Sequence, residues 1–325
     1  VRTVLDMVKI GYDFGIIDYV FDRTLYTIEA EVLCNILDLV PSLNIANMYL
    51  DELLYQGVKY GLDKTNIDIT VTKEDFANIS LTTEIPALKD IVRATKELLD
   101  EKDIITLNDV KTFFNNKDYN KEAFYDVETG TILEKVVTAA ADLETLQVLL
   151  PKALNYGVDK ITKLDLSFLK NEFSKEELAE DVKVLAKLVT PLIEAELVKV
   201  LFKGNLDEIT LQYGIYQEML DVVQNMNILN KKYANFIVMA TNYGLDKVNS
   251  KQEVTIDMFD NIQFANEVVI LKDVISSIAN LTDGLNAYTI GSVKDIYNDV
   301  IKNKQYKDMK YSNQVVVNNL LSVLD

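Results

Sequence analysis

Four oxygen donors, Asp118, Asn120, Glu122 and Asp126, have the types and spacing in this chain that come nearest to a binding site. They stand at relative positions 1, 3, 5 and 9 of the run Asp118-Tyr119-Asn120-Lys121-Glu122…Asp126. That is the order in which a calcium loop offers its ligands. Two departures weaken the pattern: Ala123 fills the sixth position, where the sharp turn needs glycine, and Thr129 the twelfth, where a bidentate Glu belongs. Further along, Lys304-Gln305-Tyr306-Lys307-Asp308 occupies the corresponding place and keeps none of the pattern. An ordinary acidic loop is the better reading, with calcium as the minor one, and the sequence assigns no cofactor.

Other chemistry is scarce. The 325 residues contain no histidine, which removes the commonest general base, the Ser-His and Cys-His nucleophile pairs and His-ligated zinc. Cys34 is the single cysteine, so it can form no internal disulfide; on an apolar stretch it reads as a small core residue. Neither standard spacing of a phosphate-binding glycine loop occurs. Adjacent acids such as Glu176-Glu177 and Asp207-Glu208 read as solvated helix faces. An enzyme is therefore the least favoured class.

The elements that position these residues announce themselves by repetition. Residues 36–64, 132–160 and 219–247 align without a gap, each opening on an apolar pair (Ile36-Leu37, Ile132-Leu133, Met219-Leu220). Each closes on Tyr-Gly-(Leu/Val)-Asp-Lys. We read Gly61, Gly157 and Gly244 as helix C-caps, since glycine takes the left-handed conformation without a Cβ clash. A small residue stands four before each: Gly57, Ala153 and Ala240. A second pattern recurs at Val4-Leu5-Asp6-Met7-Val8, Ala87-Leu88-Lys89-Asp90-Ile91, Val184-Leu185-Ala186-Lys187-Leu188 and Ile270-Leu271-Lys272-Asp273-Val274. Its apolar spacing predicts one long amphipathic helix per copy.

Between these helices lie alternating stretches such as Asn66-Ile67-Asp68-Ile69-Thr70-Val71, which predict extended connectors rather than a sheet. Thr72-Lys73-Glu74-Asp75 and Ser174-Lys175-Glu176-Glu177 have capping-box spacing and lead into short helices carrying Phe76, Phe173 and Phe259. A small helix is expected after Thr106 and again after Thr289. Pro41-Ser42 should split the first hairpin into two helices, and Pro151 should kink or delay the second. The fold class is all-α: tandem repeats of about 90 residues, each a four- to five-helix unit, packed as a rod or solenoid-like array. The boundaries fall at 1–64 (a partial first repeat), 65–160, 161–247 and 248–325 (a fourth repeat lacking its end).

A net charge of −18 excludes nucleic acid as a partner, because phosphate binding needs clustered Lys and Arg. No apolar run reaches the length of a membrane span, so no insertion within this segment is expected. The chain opens on Val1-Arg2-Thr3 and closes within an apolar pattern, so it reads as a piece of a longer protein. Scarce arginine (Arg2, Arg23 and Arg93) suggests an AT-rich coding sequence of a low-GC bacterium. The seventeen tyrosines read as core edges with wetted hydroxyls or as an adhesive face. The expected function is a non-enzymatic structural or adhesive segment of a surface-exposed bacterial protein (stalk, fibre or adhesin). Its partners would be other proteins, through self-association or neighbouring repeats. An extracellular or cell-surface location is favoured over the cytoplasm. The alternative is an intracellular helical scaffold that binds partner proteins in a groove.

Overall fold

The computed structural model describes residues 30–104, 126–198, 209–247 and 251–296, apart from 163, 260, 261 and 285, with the single residues 5, 9, 106, 109 and 207. The described part is mostly helical and all-α. Among the described residues a β-bridge joins Thr210 and Thr289. The chain divides into two compact units, one of residues 1–124 and 131–186, the other of 125–130 and 187–325.

In the first unit, helix α1 (Ala30–Leu39) ends at a 3-10 turn, Val40–Ser42, where Pro41 stops it, and α2 (Asn44–Met48) follows. After a bend at Tyr49 comes α3 (Leu50–Thr65), then an extended connector and the 3-10 turn Lys73–Phe76. Thr72 and Asp75 form the expected capping box, and Phe76 is fully buried beneath it. Helix α4 (Leu81–Glu101) lies against α1. Leu50, Leu81 and Ile85 make the core there, with Leu37, Val40, Ala46, Leu54 and Ile79 packed on it. Next come α5 (Val127–Ala141), α6 (Glu144–Lys160), the 3-10 turn Ser167–Leu169 and α7 (Lys175–Ala186). Helix α6 runs straight through Pro151, so the expected late start is not seen. Phe173 is buried just before α7, outside any short helix.

The second unit holds α8 (Val189–Glu194), α9 (Tyr213–Val223), α10 (Asn227–Lys247), the 3-10 turn Ile256–Phe259, α11 (Phe264–Gly284) and the small helix α12 (Ile290–Ile296). Many of these features stand 183 residues from a counterpart in the first unit. Helices α4 and α11 are both 21 residues long and start that far apart. Lys232 leaves the helical range (φ −122°, ψ 17°) inside α10, where Tyr49 does the same (φ −119°, ψ 17°) before α3. Tyr233 and Phe264, ring centroids 5.1 Å apart, take the places of Leu50 and Leu81.

The glycine caps are a correction. Helices α3, α6 and α10 continue past Gly61, Gly157 and Gly244, none of which is left-handed. In α3 the left-handed residue is Asn66 (φ 54°), five residues on. Its N–H reaches Asp63 O at 3.4 Å and that of Ile67 reaches Leu62 O at 3.1 Å, a Schellman closure with an apolar residue after it. Asp103 and Asn286 close α4 and α11 in the same way (φ 55° and 53°), with Ile104 and Ala287 donating to Leu99 O and Thr282 O, both at 2.8 Å. Asn and Asp tolerate this region because their short polar side chains bond locally.

A Cβ on Gly61 would meet no atom within 4 Å. Gly61→Ala should therefore stabilise the protein by about 0.5–1 kcal/mol, the usual cost of glycine within a helix. An unchanged or lower thermal midpoint would show that some contact needs the bare backbone. Glu84 is only 4% exposed and accepts from the Thr145 N–H (3.1 Å) and hydroxyl (3.0 Å). Glu84→Ala strands both donors and should cost about 2–3 kcal/mol, read as a lower urea midpoint at unchanged slope.

Candidate functional site

Asp118, Asn120 and Glu122 lie outside the described residues. Asp126 is described, and it works as a helix cap. One carboxylate oxygen accepts the Thr129 N–H at 2.8 Å and the other the Thr129 hydroxyl at 2.7 Å, at the start of α5. Thr129 is fully buried. The structure thus gives Asp126 a local structural job at the start of α5. Among the described residues no group of three His, Cys, Asp or Glu side chains is placed to hold a metal. Gly130, in the next position, fits closely under Thr190 and Ile193, where a Cβ would come within 2.9 Å of Ile193 Cδ1. The Thr190 hydroxyl there is buried without a partner.

An open cleft of about 240 Å³ lies along the α1–α4 seam, lined by Asp38, Ile85, Pro86, Lys89, Asp90 and Arg93. Its charges neutralise one another. Lys89 Nζ donates to both oxygens of Asp38 at 2.8 and 2.7 Å. Arg93 forks onto Glu31, Nε at 2.8 Å and Nη2 at 3.3 Å, and Asp90 stands 3.7 Å from Nη1. The Arg93 bond holds the Glu31 carboxyl below its ordinary value, and Glu31 in turn raises the guanidinium. Cys34 closes the seam from inside: it is buried, its sulfur 3.8 Å from Lys89 O, and burial pushes its thiol up. A protonated, enclosed thiol is a packing group, as the sequence suggested.

The seam recurs in the second unit between α9 and α11. Lys272 Nζ donates to Asp221 at 2.9 and 2.7 Å, and Gln217 Nε2 bonds Lys272 O at 3.0 Å. Asp38, Lys89 and Cys34 are each 183 residues from Asp221, Lys272 and Gln217. The thiol has become an amide, yet the same carbonyl is met. Such exposed ion pairs are worth only about 0.2–1 kcal/mol each, so they set the register of two helices more than they stabilise them.

A further polar contact joins the connector after α3 to α6. Lys152 Nζ lies 3.0 Å from Asp75 and 3.2 Å from Thr70 O. Burial pushes the Asp75 carboxyl up, but bonds from the Thr72 N–H and hydroxyl and from Lys152 outweigh it, leaving it below its ordinary 3.8. The spacing of Thr72 and Asp75 revealed the cap; the partner 77 residues away left no signal in the sequence. None of these arrangements presents an activated nucleophile, so what they can do chemically is hold helices in register.

No protein-family model matches the chain, and neither a curated protein nor a solved structure matches it.

The folded Asp75 carboxyl binds its proton less tightly than in the unfolded chain. Its contribution is therefore complete above the unfolded value and is lost as the pH falls through the folded one. Asp75→Asn should cost about 1 kcal/mol at neutral pH, from cap and ion pair together, and the gap to wild type should close as the pH falls through the lowered value of the folded carboxyl. Urea midpoints of both proteins at neutral and acid pH test this; a gap independent of pH would assign the loss to packing.

Proposed function

We propose that the chain is a non-enzymatic structural or adhesive segment of a larger surface-exposed bacterial protein, built from tandem helical units of about 90 residues. The unit boundaries are those at residues 64, 160 and 247. The observation that carries this reading is the recurrence, at a fixed step of 183 residues, two such units, of whole helices, a backbone bend, a left-handed closure and an interhelical seam. Thr106 and Asp109 add to it: each N–H bonds the other's side chain, at 2.8 and 3.2 Å. Thr289 and Ser292 repeat that reciprocal cap at 2.9 and 3.1 Å. A chain that repeats its helices and interhelical pairs while varying the residues around them suits a spacer, which needs reach more than one exact site.

Three further points support the reading. The strong acidity suits a long array whose units must not collapse on one another. No helix among the described residues is long and apolar enough to cross a membrane. Tyr49, Tyr60, Tyr243 and Tyr288 are all exposed and offer an adhesive surface. The second reading, an intracellular scaffold, draws on the exposed apolar side chains of α3, which could line a partner groove.

Protease shaving of intact producing cells, with released peptides read by mass spectrometry, separates the two. Peptides from this chain should appear before any cytosolic marker. Protection until lysis would overturn the surface assignment and leave the scaffold.

A further inference from the structure

We draw no further inference here: the strongest candidate, the exposed apolar face of α3 around Leu53 and Tyr60, carries none because nothing in the structure shows what covers it.

Discussion

Glu84 is the residue through which the first unit is tied together. A carboxylate at 4% exposure is costly to bury unless its oxygens are filled, and both are filled by Thr145, 61 residues away. Thr145 is the second residue of α6, so the charge also meets the positive end of that helix. With that bond in place, α6 is fixed on α4, and Lys152 can reach Asp75 and Thr70 O from the same helix. Helices contributed by different stretches of sequence thus share one core.

The α1–α4 and α9–α11 seams indicate what such a packing must keep and what it can exchange. Both keep a Lys donating to an Asp one helix away, Lys89 to Asp38 and Lys272 to Asp221. Both put a donor on the carbonyl of that lysine, a thiol in one and an amide in the other. The core beneath is exchanged more freely: Leu50 and Leu81 give way to Tyr233 and Phe264. Volume can be redistributed among neighbours in a core, whereas the phase between two helices is set by a few directional contacts.

The contrast between Gly130 and the helix glycines has the same origin. Gly130 lies where a Cβ would come within 2.9 Å of Ile193 Cδ1, so the side chains above it would have to shift to admit one. Gly57, Gly61, Gly157 and Gly244 have open space where a Cβ would go. Glycine type alone does not tell the two kinds apart; what packs against each one does.

Much of this was legible in the order of residues, because its causes are local. The helices follow from apolar spacing, the capping boxes at Thr72 and Ser174 from four consecutive residues, the break at Pro41 from proline's missing N–H, and the burial of Cys34 from its apolar neighbours. Closure at Asn66 was missed because Gly61, five residues earlier, is the better left-handed residue by type. The helix instead runs on to where Ile67 can close it. The role of Asp126 as a helix cap on Thr129 was not read from the sequence, because counting oxygens does not say which neighbour each one meets. The sequence by itself determined an all-α chain and the recurrence of its residue patterns. Only the tertiary structure decided that Glu84 meets Thr145, that Lys152 meets Asp75, and that the face buried on α6 is bare on α3. Those outcomes depend on what lies opposite each helix, and burial is a property of neighbours that spacing along the chain cannot encode.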